Sequence, residues 1–171
     1  MKNQPCYDKE GNTLGWMSRS TAVLMLTFAP DLEGNLCVLA SKRGSGTPDP
    51  EFIGCWNAIC GYLDYNETTM QAAIRETYEE TGVKVDEAFI YDWKWVDDYT
   101  SDKRQNVIHR FIALIPNLTN NFSLANAEPN EVEEVKWIPV KDILKYEWAF
   151  NHDSIIVEAI LYLLETALMH E

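Results

Sequence analysis

The segment TTMQAAIRETYEETG (Thr68–Gly82) constrains the fold most, because it is a clearly delimited helix in the middle of a strand-forming chain. Thr68 is the N-cap residue, and Gln71 three positions on completes a capping box. Gly82 suits the residue that ends a helix. Between them Met70, Ala73, Ile74, Thr77 and Thr81 recur at helical spacing and form one packing face. Upstream, the apolar run Ser20–Ala29 reads as a buried strand, Asp31–Asn35 as a turn and Leu36–Arg43 as the second strand of a hairpin. The Gly/Pro-rich stretch Gly44–Gly54 is a loop, and Cys55–Leu63 is a short strand entering another loop. Downstream, Ala88–Tyr99, Asn106–Ile115 and Glu134–Val140 read as strands, Lys141–Tyr146 as a short helix and His152–Met169 as a closing amphipathic helix. No internal repeat or interdomain linker is visible. Strands interrupted by one helix and closed by another make an α/β fold, a mixed sheet with helices packed on it. The 171 residues suffice for one domain over 1–171. Residues 1–18, with YDKEGN as a turn, read as an N-terminal extension, either an added strand or a dimer arm.

Charge narrows the function classes. The net charge is −13, which argues against nucleic acid as a partner, because phosphate neutralisation needs a broad face of Lys and Arg. Cys6, Cys37, Cys55 and Cys60 show no CxxC spacing, so neither a zinc site nor a disulfide framework is expected, and all four read as reduced, mostly buried thiols. The polar N-terminus has no signal-peptide core and no apolar run approaches a membrane span. The expectation is a cytoplasmic protein with no membrane partner. An aromatic content of 12% leaves room for a stacking pocket or a homodimer interface.

In so acidic a chain, Glu76, Glu79 and Glu80 share one helical turn. Like charges at that spacing repel by roughly 0.2–0.5 kcal/mol per pair. Three glutamates alone are usually a solvated face. The alternative is a divalent cation, since Mg²⁺ and Mn²⁺ prefer carboxylate oxygens and three carboxylates at i, i+3 and i+4 can converge on one or two ions.

The surrounding pattern decides between these. Gly61, five residues, Glu67, seven residues and then RETYEETGV resembles the Nudix box, G-x5-E-x7-R-E-U-x-E-E-x-G-U with U bulky and apolar. Gly61, Glu67, Arg75, Glu76, Glu79, Glu80, Gly82 and Val83 match, and Thr77 at the first U departs. Seven fixed residue types at about 7% frequency give a chance match of roughly one in 10⁸ per start position. The flanking strand pair, SKRG at the end of the second strand and EVEEVKWIPVKDI (Glu131–Ile143) extend the resemblance over most of the chain.

The resemblance implies a Nudix α/β/α sandwich with a mixed central sheet. It also implies Mg²⁺- or Mn²⁺-dependent hydrolysis of a nucleoside diphosphate linked to another group. The metal ligands would be Glu76, Glu79 and Glu80, with the Cys60 backbone carbonyl and Glu131 as further candidates. Glu79, Glu80, Glu76 or Glu131 would act on the attacking water. Gly61, Glu67, Arg75 and Gly82 would brace the site, Arg75 by pairing with Glu67. Asp97 and Asp98 are alternative bases, and Glu133 and Glu134 alternatives to Glu131. Arg43, at a strand end, is a candidate phosphate contact. Trp95 is a candidate for stacking on the base, as are Trp93, Tyr91 and Phe52. His109, in mid-strand, reads as structural, and nothing near Cys60 in sequence would activate it as a nucleophile.

Substrate choice rests on less. ADP-ribose enzymes of the family often carry Pro about 16 residues beyond the box, where this chain has Tyr99. A Tyr in that region leans toward dinucleoside polyphosphates, beside ADP-ribose, nucleotide sugars and nucleoside triphosphates. The alternatives are a non-catalytic nucleotide sensor, disfavoured by the intact glutamates and by a chain that ends with the domain, and an isoprenoid diphosphate isomerase, disfavoured by the intact box.

Overall fold

The computed structural model describes residues 4–17, 19–98 and 106–169. Strands β1 (Gln4–Tyr7) and β2 (Thr13–Met17) form a separate antiparallel ribbon. The main sheet contains β3 (Ser20–Pro30), β4 (Leu36–Arg43), β5 (Trp56–Asn57), β6 (Ile59–Tyr62), β7 (Ile90–Asp98), β8 (Asn106–Leu114) and β9 (Val132–Pro139). Helix α1 (Thr69–Thr81) follows β6, and α2 (His152–Leu168) ends the fold. Among the described residues no helix is long and apolar enough to cross a membrane.

The apolar run of β3 is buried on both faces, as a central strand must be. Val23, Met25 and Ala29 face one way and pack with Ala72 and Ala73 of α1. Leu24, Leu26 and Phe28 face the other way and pack with Ile156 and Ala159 of α2. One helix on each face of a mixed sheet is an α/β/α sandwich. β3 runs parallel to β8, from Ser20↔Asn106 to Phe28↔Leu114, and β8 pairs antiparallel with β7.

The sheet opens between β3 and β4. The two are paired only near their turn, from Pro30↔Leu36 to Phe28↔Val38, and then diverge. Cys55–Leu63, read from sequence as one short strand, is two strands that fill the gap with opposite partners. β6 pairs β3 (Met25↔Ile59 to Ala22↔Tyr62), whereas β5 pairs β4 (Ser41↔Asn57, Lys42↔Trp56). β9 covers the outer edge of β4. A second local feature also escaped the sequence reading. The turns Asp8–Asn12 and Asp31–Asn35 share the pattern Asp-x-Glu-Gly-Asn, and in each an Asp Oδ1 accepts two backbone N–H groups.

Helix α1 has both halves of the capping box: the Thr68 hydroxyl accepts from Gln71 N–H at 3.2 Å, and Gln71 Oε1 accepts from Thr68 N–H at 2.8 Å. Thr77 is fully buried, and its hydroxyl donates to the Ala73 carbonyl at 2.7 Å, so the polar atom is satisfied while the methyl packs. The thiols are less buried than expected: Cys37 is buried, Cys55 and Cys60 are half-buried, and Cys6 is exposed on the ribbon. Gly82 ends α1 at φ 75°, with its N–H donating to the Tyr78 carbonyl. A Cβ there would lie 2.7 Å from the Ser123 backbone nitrogen, which Ser123 uses to bond the Thr81 carbonyl. Gly82→Ala is expected to cost about 2 kcal/mol, from the left-handed backbone and this contact. In a thermal melt that is a Tm drop of about 4–8 °C.

Candidate active site

The carboxylates stand where the sheet opens. The exposed end of β6 and the β6–α1 loop are tied to α1 through one guanidinium. Arg75 meets Glu67 with two bonds, Nε–Oε2 at 3.1 Å and Nη2–Oε1 at 2.7 Å. It also donates to the Tyr62 carbonyl at 3.1 Å, to Glu76 at 2.8 Å and to Glu79 at 3.0 Å. Glu67 in turn accepts the Asp64 N–H at 2.8 Å. The Arg75 bond holds the Glu67 carboxyl below its usual range, and Glu67 holds Arg75 firmly charged.

Glu80 differs from its neighbours. It is 6% exposed, and its Oε2 lies 2.8 Å from the Ser41 hydroxyl on β4. Burial, with Glu76 and Glu131 adding repulsion, pushes its carboxyl up to about 8. Burial also raises Glu76 and Glu131, and Glu131 adds to the shift of Glu76. Glu131, about fifty residues from the helix in sequence, therefore belongs electrostatically to the same cluster. Two backbone bonds carry it there, Gly44 N–H to the Glu131 carbonyl at 2.7 Å and Gly46 N–H to the Asn130 carbonyl at 2.8 Å.

Among the described residues no three acidic, thiol or imidazole groups meet at one ligating point. The expected convergence of three carboxylates is divided, with Glu76 and Glu79 on Arg75 and Glu80 on Ser41. The donor set still fits a hard cation: oxygen ligands only, and mutual repulsion that a divalent ion would offset. Gly61 adds a cradle. A Cβ at this position would lie 2.2 Å from the Glu76 carboxylate, so the backbone and that carboxylate are in close approach.

Arg43 is buried beside the cluster, and its charge opposes the upward shifts of Glu80 and Glu131. It donates to the Thr47 hydroxyl, pairs with Asp49 at 3.4 Å and lies 5.0 Å above the Phe150 ring. Its Nε is buried without a hydrogen-bond acceptor. Cys60 opposes Leu24 in the β3–β6 ladder, and burial with Glu80 and Glu76 nearby pushes its thiol up to about 12, leaving it protonated.

Other candidates fall elsewhere. Trp95 is on β7, in one register row with His109, Val23 and Gly61, three strand spacings or about 14 Å from Gly61. One ring face is stacked on His109 at 4.0 Å. His109 bonds Thr69 and Asp92, each at 2.8 Å, as a structural histidine does. Asp97 is paired with Arg19 at 2.7 Å on that same edge, next to Asp98, and Glu133 with Lys42 at 2.7 Å. Phe52 packs on Phe150, Trp93 on Tyr162, and Tyr91 is exposed. Tyr99 lies outside the described residues. Sequence reasoning missed Ser41, Asn57 and His152, which line or support the opening. Their only sequence signal is a polar residue inside, or next to, an apolar run.

A NUDIX domain model matches residues 18–158. The chain belongs to the Nudix family. It is 29% identical over 106 residues to an RNA pyrophosphohydrolase of Erythrobacter litoralis, a match covering 53% of this chain and 62% of that protein. The Nudix domain of Shewanella oneidensis NrtR, solved with ADP ribose, has the same fold at a TM-score of 0.71 and 24% identity, over 92% of this chain and 94% of that one. An Ap4A hydrolase of C. elegans aligns at a TM-score of 0.62 and 20% identity, over 85% and 98% of the two chains.

The Glu80 shift has a thermodynamic consequence. A carboxyl whose folded value is raised contributes stability at low pH and loses it as pH rises from its unfolded value of 4.5 to about 8. In EDTA, the Tm is expected to fall over that window and to do so less in Glu80→Gln. Added Mg²⁺ or Mn²⁺ should raise the Tm more at pH 8.5 than at pH 6, because protons compete for the same oxygens.

Proposed function

We propose that this Nudix protein is a pyrophosphohydrolase that cleaves the diphosphate linkage of a nucleoside diphosphate joined to another moiety. The observation that carries this is the buried carboxyl of Glu80, crowded by Glu76 and Glu131 from separate parts of the chain. Such a cluster costs stability and is hard to explain as packing. The assigned roles are Glu76, Glu79 and Glu80 as metal ligands, with Glu131 and the Cys60 carbonyl completing the set. Gly61, Glu67, Arg75 and Gly82 brace it. Mg²⁺ or Mn²⁺ would supply Lewis-acid stabilisation of the phosphoryl oxygens and lower the pKa of the attacking water.

The chain's own groups do the rest. A carboxylate of Glu79, Glu80 or Glu131 takes a proton from water as its oxygen bonds to phosphorus. The bond from that phosphorus to the bridging oxygen breaks, and the second phosphate leaves with that oxygen. Arg75 keeps Glu76 and Glu79 from swinging apart as protons move. Arg43, beside the cluster, offers positive charge to an anionic substrate. The substrates we favour are small nucleotides: dinucleoside polyphosphates, ADP-ribose, nucleotide sugars or nucleoside triphosphates. A chain of net charge −13 opposes a long polyanion, which argues for these over an RNA end. We infer a cytoplasmic setting.

A second reading, a nucleotide-binding sensor, draws on the likeness to NrtR, which was also solved with a 27mer DNA. The intact box glutamates weigh against it.

Phosphate-coupled hydrolysis with Mg²⁺ over a substrate panel separates the two. The panel comprises ADP-ribose, dinucleoside polyphosphates, nucleotide sugars, canonical and oxidised triphosphates and a 5′-triphosphorylated RNA. Turnover of one member, abolished in a Glu79→Gln, Glu80→Gln double variant, is expected. Saturable binding without turnover would instead support the sensor. Glu131→Gln is expected to lower kcat by about 10²-fold or more if it is the base, with little change in KM.

A further inference from the structure

Ala58 sits between β5 and β6, fully buried and without a partner in either ladder. Buried backbone groups must be satisfied, and here side chains satisfy both. His152 Nδ1 accepts the Ala58 N–H at 3.0 Å, and Asn57 Nδ2 donates to the Ala58 carbonyl at 2.9 Å. Asn57 Oδ1 lies 3.2 Å from the Ser41 hydroxyl, which lies 2.8 Å from Glu80 Oε2. Buried polar groups thus run without a break from the first residue of α2 to the most buried carboxyl of the site.

We propose that His152 is a positioning residue for the carboxylate site. By holding the Ala58 amide it fixes the β5–β6 junction and with it the register of Asn57 against Ser41. The single hydroxyl proton of Ser41 goes to Glu80 when that carboxyl is ionised and to Asn57 Oδ1 when it is protonated, and the placement of Ser41 sets where the Glu80 carboxylate points. The same junction leads into Cys60 and Gly61. This rests on the hydrolase reading above, which gives His152 no role.

Two further observations support a specific acceptor rather than a space-filling ring. First, Phe150 and Asn151, immediately before His152, are both left-handed, at φ 56° and 55°. Non-glycine residues hold that conformation in sequence only where surroundings impose it. Here Phe150 is packed by Phe52 at 4.5 Å and by Arg43, and the bend delivers the imidazole to Ala58. Second, burial, reinforced by the charges of Arg110 and Arg43, pushes His152 down to about 3, so Nδ1 remains a lone-pair acceptor at neutral pH.

The test compares wild type with His152→Asn, His152→Gln and His152→Leu. Asn places an oxygen close to where Nδ1 stands, Gln carries it one bond too far, and Leu removes it. Mn²⁺ binding is read by EPR, and kcat and KM on the substrate identified by the panel. The Gln and Leu variants are expected to bind Mn²⁺ at least 10-fold more weakly and to lose at least 10-fold in kcat, in the range for groups that support metal ligands. KM should stay within about 3-fold, and Asn should restore both Mn²⁺ affinity and kcat to within about 3-fold. Circular dichroism identifies a variant that does not fold; if Leu fails, the Asn and Gln pair decides. Wild-type Mn²⁺ affinity and kcat in the Gln variant would overturn the proposal. A wild-type protein that neither binds Mn²⁺ nor turns over any substrate would overturn the hydrolase reading, and this proposal with it.

Discussion

Repulsion among carboxylates is the constraint on which the rest of the structure depends. Glu76, Glu79, Glu80 and Glu131 are gathered at one opening of a strongly acidic molecule, and left to themselves they would separate. Two guanidiniums oppose this from different sides. Arg75 reaches across to the loop and the helix and engages three carboxylates. Arg43, buried, acts electrostatically on Glu80 and Glu131 and is itself fixed by Asp49, Thr47 and Phe150. Neither arginine reverses the upward shift at Glu80, which comes first from burial and then from the charges of Glu76 and Glu131.

The divergence of β3 and β4 gives those charges somewhere to stand. A closed sheet would leave no room between the strands for polar side chains. Here two short strands of opposite allegiance fill the gap, and their junction at Ala58 leaves backbone groups that only side chains can satisfy. Site and fold are therefore one problem in this region. The residues that repair the sheet, Asn57 and His152, connect to those that would do the chemistry.

Helix α1 was legible in the sequence because its determinants are local. Thr68 and Gln71 cap each other, Gly82 takes the backbone angle others avoid, and the glutamate spacing is a property of one turn. The continuous apolar run of β3 likewise marked a buried strand. The opening was not legible, because Trp56–Asn57 and Ile59–Tyr62 form one continuous run whose division depends on which neighbour each half meets. Ser41 and Asn57 looked like ordinary strand residues, since they meet each other across 16 positions and Ser41 meets Glu80 across 39, and a histidine beginning a helix carries no mark of the amide it will accept. Trp95 was a stacking candidate by composition alone; strand order sets it on edge strand β7, more than half exposed, with His109 on one face.

The parallel pairing of β3 with β8 also has a consequence for how the chain reaches this state. Residue 20 meets residue 106 across the centre of the sheet, and β4 meets β9 over a longer span still, at Cys37↔Pro139, so the pairings that complete the core are all distant in sequence. Long-range parallel pairing is slow, whereas a capped helix of 13 residues is local. The box helix is therefore available early, with its glutamates spread in water where their mutual repulsion is weak. They are buried, and Glu131 joins them, only when α1 packs on the sheet and β9 returns along β4. A chain stalled before that step has the motif intact in sequence but no site to bind with.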